Sequence, residues 1–113
     1  MFIYVSGPYS ASAGTPSGEQ AAAIAANARK ANEVALALVE RGHSPFVPHT
    51  MMSGWEDRHG VPRKVAMRVC REWVARCDAI FVIGASPGAD AELAVAEARQ
   101  LPVYRRLEEV PAG

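Results

Sequence analysis

The sequence predicts an α/β fold, a doubly wound parallel sheet of about four strands, on three observations. Strand-length apolar runs alternate with longer stretches of helical periodicity along the chain, the pattern of repeated strand–helix–strand units. The run Ala79-Ile80-Phe81-Val82-Ile83 has the length and composition of a strand buried on both faces, as parallel strands are. A small-residue loop, Gly84 to Gly88, and an Ala-rich helical stretch follow it at once, so this strand leads straight into a crossover.

Each element can be justified in order. Phe2-Ile3-Tyr4-Val5-Ser6 is β-branched and aromatic and stops at Gly7-Pro8, which makes it the first strand. The loop from Gly7 to Gly18 is almost wholly Gly, Ser, Ala, Pro and Thr. Such a loop either wraps a ligand closely or is an ordinary surface loop, and composition does not choose between them. Ser17-Gly18-Glu19-Gln20 matches a capping box, so a helix is expected to begin near Gly18. Ile24, Ala28, Ala31, Ala35 and Leu38 recur along it at helical spacing, Val34 widens the stripe, and Gly42 ends it as a left-handed cap.

Ser44-Pro45-Phe46-Val47-Pro48 is a short second strand, placed at a sheet edge because each proline removes a ladder donor. His49 to Gly60 reads as a loop holding Met51, Met52, Trp55, Glu56, Asp57 and His59. Trp55 there either stacks on a base or sugar or packs as a lid on its own domain. Pro62 to Arg76 is the next helix, with Val65, Val69 and Trp73 repeating at fours and Cys70 and Cys77 extending the buried side. After the third strand, Ser86 is a good N-cap and Pro87 fits the first helical position of a helix running to about Arg99. Val103-Tyr104 is a last short strand. Residues 1–104 thus form one domain, and 105–113 read as a polar C-terminal tail.

Parallel strands in this order, joined by right-handed crossovers, make a flavodoxin-like or Rossmann-like sandwich, for which strand order 2-1-3-4 is expected. Strands one and three are then neighbours whose crossovers leave to opposite faces. Ligands bind at such a switch point, beyond the carboxyl ends of the strands, where free N–H groups of a helix N-terminus also suit an anion. Tyr4, Gly7, Ser86, Gly88 and Glu92 are expected to converge there. Glu92 has two readings. An acid near a helix N-terminus is favoured by the macrodipole alone; the sharper reading makes it a catalytic carboxylate.

Composition narrows the partners. The formal net charge of zero carries no basic excess for nucleic acid, and no apolar run approaches the roughly 20 residues of a membrane span. The N-terminus has a strand pattern rather than a signal-peptide layout, so a cytoplasmic protein is expected. Cys70 and Cys77 sit on one helix face about 10 Å apart along the axis, too far for a disulfide. His43, His49 and His59 show no helical pairing, so no metal is expected and ordinary surface histidines are.

Several segments resemble the nucleoside 2-deoxyribosyltransferase superfamily: IYVSGPYS at the N-terminus, GHSPFVPH after the long helix, and CDAI followed by SPGADAEL. The likeness covers roughly Phe2 to Tyr104, falls closest to the small members of that superfamily and next to its nucleotide N-glycosidases, and is most specific in the Ser-x-Gly-x-x-x-Glu spacing of Ser86, Gly88 and Glu92. The resemblance implies cleavage of an N-glycosidic bond without a cofactor. Glu92 would be the nucleophile that forms a glycosyl-enzyme ester, and Tyr4 would hold its carboxylate. Ser86 with the amides of Gly7 and Gly88 would surround a 5′-phosphate, and Pro8, Tyr9, Ser10 and Trp55 are further candidates for substrate binding. A carboxylate suits this chemistry because it stabilises an oxocarbenium-like transition state. The family also builds its sites at subunit contacts, which implies a homodimer or a dimer-based oligomer.

Two departures qualify the likeness. Where the family carries an aspartate that works on the base, this chain has Cys70, so the base leaves less assisted unless Glu56, Asp57, His59 or Glu72 stands in. The chain also stops about where the fourth strand ends, which favours a hydrolase over a base-exchanging transferase. A non-catalytic nucleotide-binding module is the alternative of a different class. A phosphoribohydrolase of the lysine-decarboxylase-like type is weaker, since its PGGxGTxxE loop is absent.

Overall fold

A computed structural model describes residues 1–9 and 17–113, Ser17 by its backbone alone. Strand β1 (Phe2–Ser6) lies between two parallel neighbours. On one side Tyr4 is in register with Phe46 of β2 (Ser44–Phe46), and on the other with Ile80 of β3 (Ala79–Val82). Strand β4 (Val103–Tyr104) extends the sheet beyond β3, giving the order β2-β1-β3-β4 that the topology predicts. The proline-bearing β2 is at an edge, as its missing donors require.

Alternation along β1 and β3 divides the core in two. Ile3, Val5, Ala79 and Phe81 face the long helix α1 (Ser17–Glu40) and pack on its Ala31 and Leu38. Tyr4, Ile80 and Val82 face the opposite layer, made by α3 (Arg63–Arg76) and α4 (Pro87–Ala98). Small residues, Ala66 and Cys70 of α3 and Ala96 of α4, let these helices lie close to the sheet. Helix α1 ends as expected: Gly42 takes φ +88°, its N–H reaches Val39 O at 2.9 Å, and the N–H of His43 reaches Leu38 O at 3.0 Å. This is a Schellman cap, and only a residue without a Cβ adopts that φ cheaply. The Ser17 hydroxyl of the expected capping box lies outside the described residues, as does most of the small-residue loop.

Three expectations need correction. The loop after β2 begins with a short helix, α2 (Pro48–Met51), because Pro48 serves as a helix start rather than a strand end. Trp73 is not on the buried side of α3; it is 41% exposed, while Ala66, Cys70 and Val74 carry the packing. Residues 105–113 do not trail as a polar tail. They form a 3₁₀ turn, Leu107–Glu109, with Val110 only 2% exposed in the α1-side core, and Arg41 Nη1 donates to Val110 O at 3.1 Å.

Candidate functional site

Helix α4 starts where the sequence places it. Ser86 is the N-cap, its Oγ accepting from the Ala89 N–H at 3.0 Å, and Pro87 takes the first helical position. The helix N-terminus therefore opens beyond the carboxyl ends of β1 and β3, beside Gly7. A Cβ on Gly7 would stand 3.1 Å from Cβ of Ile83, so glycine allows the loops after β1 and β3 to touch.

Glu92 lies about a turn and a half into α4 and is 9% exposed. Its carboxylate is held at both oxygens. Tyr4 donates its hydroxyl to Oε2 at 2.9 Å, and Ser6 donates to Oε1 at 2.6 Å. Tyr4 and Ser6 are two residues apart on β1, so the period of the strand puts both hydroxyls on the α4 side. Burial pushes the Glu92 carboxyl above its ordinary pKa, and the hydrogen bonds from Ser6, Tyr4 and Cys70 oppose that rise. Burial likewise raises the Tyr4 phenol, with the Glu92 charge adding to it, so Tyr4 stays a donor. Glu92 lines a cleft of about 630 Å³. Gly7, Pro8 and Tyr9 form one wall, and Ser86 and Gly88 a second. The third is apolar and rich in sulfur, with Met52, Trp55, Met67 and Cys70. Glu56 and Arg63 also line it and approach each other at 3.8 Å with partly exposed side chains. The Cys70 thiol, 3.3 Å from Met52 Sδ, is pushed up to about 11 chiefly by burial. His49 also lines the cleft. It is 3% exposed, its Nε2 donates to Pro8 O at 2.9 Å, and burial lowers its pKa, so it is a neutral imidazole with the proton on Nε2. Its Nδ1 has no partner among the described residues.

A protein family described as a domain of unknown function, DUF7768, matches residues 1–106. The chain belongs to the DUF7768 family. No curated protein and no solved structure matches it.

The DUF7768 chain brings most of the expected residues together. Gly7, Pro8, Tyr9, Trp55, Ser86, Gly88 and Glu92 line one cleft, and Tyr4 stands behind it on Glu92. Ser10 lies outside the described residues. Of the four groups offered in place of the missing aspartate, only Glu56 is part of the lining; Glu72 pairs with Arg68 at 3.4 Å on an exposed face. Sequence reasoning missed Ser6, although Tyr4-x-Ser6 on a strand already signals two hydroxyls on one face. It also took His43 and His49 for surface residues. Both are buried, and His43 donates from Nε2 to Pro111 O at 2.6 Å. The described residues hold no group of three His, Cys, Asp or Glu side chains able to share a metal ion, and no helix among them is long and apolar enough to cross a membrane.

Proposed function

We propose that this DUF7768 chain hydrolyses the N-glycosidic bond of a nucleoside or nucleoside 5′-monophosphate. The observation that carries the reading is the Glu92 carboxylate, buried at the base of a ligand-sized cleft and fixed at both oxygens by Tyr4 and Ser6. Glu92 attacks the anomeric carbon, and the pair of the C–N bond leaves with the base. Water then cleaves the glycosyl ester, and one proton passes to the medium or the departing base. Ser86 and the Gly88 N–H at the start of α4 suit the phosphate of a nucleotide, and the wall with Trp55 suits a planar base. The resemblance of Ser86, Gly88 and Glu92 to the nucleoside 2-deoxyribosyltransferase superfamily supports the same assignment.

One observation favours a second reading, a nucleotide-binding module without turnover. Cys70 stands where the resembled family has an acid, and a thiol raised to about 11 is a poor proton donor. Both readings are tested by incubation with ribo- and deoxyribonucleoside 5′-monophosphates, followed for free base and for melting temperature. Free base that disappears in Glu92→Gln supports the hydrolase. Stabilisation by ligand without release supports the binder.

A further inference from the structure

The carboxyl, imidazole and β1 hydroxyl groups around the cleft are already committed, and this bears on which base can leave. The hydroxyls of Tyr4 and Ser6 are spent on Glu92. The Nε2 proton of His49 is spent on Pro8 O, and Glu56 faces the Arg63 guanidinium at the rim. The segment 10–16, Ser-Ala-Ser-Ala-Gly-Thr-Pro, contains no acidic side chain. A neutral base departing unprotonated would carry negative charge into a wall of Met52, Trp55 and Met67, where an unpaired charge is costly.

Resting on the reading of Glu92 as nucleophile, we infer that the substrates are N-glycosides whose base is already a ring cation, such as an N7-alkylated purine or a pyridinium nucleotide. The step then balances without an acid. The bond from Glu92 to the anomeric carbon forms, the C–N bond breaks, and its electron pair cancels the charge of the ring, which leaves neutral. The cleft favours the reactant over the product in the same sense. A cationic ring is attracted to the face of Trp55 and to polarisable methionine sulfur. It also stands near a carboxylate that burial disfavours, and so helps keep its own nucleophile ionised. Once neutral, the base loses both attractions.

The test compares kcat/KM for 7-methylguanosine 5′-monophosphate and nicotinamide mononucleotide with that for guanosine and cytidine 5′-monophosphates, from pH 5 to 9. General acid assistance is worth about 10²–10⁴-fold, so the cationic substrates are expected to exceed the neutral ones by at least about 100-fold. The profile for nicotinamide mononucleotide, whose ring cation has no proton to lose in this range, should rise as Glu92 ionises and then stay level to pH 9. Cys70→Asp should narrow the ratio by raising release from the neutral substrates, and Trp55→Ala should raise KM for the cationic ones about tenfold, with circular dichroism confirming that both variants fold. Neutral substrates cleaved within tenfold of the cationic ones, or a nicotinamide mononucleotide profile that falls above pH 7 as a general acid deprotonates, overturn the inference while leaving Glu92 as nucleophile. Loss of the neutral activity in Glu56→Gln would then identify that acid. No release from any of the four overturns the catalytic reading itself.

Discussion

At the scale of single residues, the two hydroxyls on Glu92 act on its charge, and their effects differ in measurable ways. Removing either donor takes away a hydrogen bond to a carboxylate, worth about 1.5–3 kcal/mol. Tyr4→Phe and Ser6→Ala should each lower turnover about tenfold or more and move the acidic limb of the pH–rate profile to higher pH, because the ionised form loses support. The Ser6 contact is the shorter, 2.6 against 2.9 Å, so its removal should displace the limb further. An unmoved limb in both variants would mean that another group sets the profile. Stability carries the opposite sign. Glu92 titrates above its ordinary value when folded, so its contribution is fully present below the usual carboxylate range and is lost as pH rises through the raised value. Glu92→Gln escapes that loss. The variant is expected to melt at or above wild type at pH 8, with the advantage shrinking toward pH 4. A constant deficit across that range would instead give Glu92 a purely structural part.

At the scale of elements, the start of α4 depends on Ser86. Ser86→Ala should cost about 1 kcal/mol and lower the melting temperature by about 4 °C, and it should weaken binding of a nucleoside monophosphate more than of the free nucleoside. Calorimetry on both ligands checks this; equal weakening would separate the cap from the anion. This helix was legible in the sequence because cap, proline and strand are contiguous there, and the convergence of Tyr4, Gly7 and Glu92 followed from strand order alone. Less was legible in α3. Val65, Val69 and Trp73 repeat at fours, but so do Ala66, Cys70 and Val74, one position on and about 100° round the helix. Hydrophobicity favours the first set, whereas close approach to the sheet selects the second and smaller one. The four-residue α2 was hidden for another reason. A single turn has no periodicity to read, and only the proline marks it.

At the scale of the whole molecule, residues 105–113 join the core that their composition conceals, since one valine in a polar stretch leaves no pattern. Burying Val110 contributes about 2 kcal/mol, so Val110→Asp should destabilise by at least that amount in urea denaturation, while Glu108→Ala on the exposed turn should be nearly neutral. The assembly prediction also belongs here. Trp73 is a large apolar side chain left exposed on α3, and the resembled family completes its sites at subunit contacts. A homodimer with α3 and α4 near the interface is therefore expected in light scattering at high micromolar concentration. A monomer there would sink it.

The aromatic rings behind the carboxylate have an optical consequence. Tyr4 stacks on Phe46 with centroids 5.6 Å apart, and Phe46 stacks on the half-open Trp73 at 4.4 Å, so a row of rings runs from Glu92 to solvent. Such a row is a built-in reporter. In a Trp55→Phe background Trp73 is the only indole left, and its emission can be read alone. A ligand that draws the Glu92 carboxylate toward itself shifts the Tyr4 ring, and that displacement passes through Phe46 to an indole at the surface. Occupancy of the cleft should then change Trp73 fluorescence and the near-ultraviolet dichroism of the stacked rings, even for ligands that are never turned over.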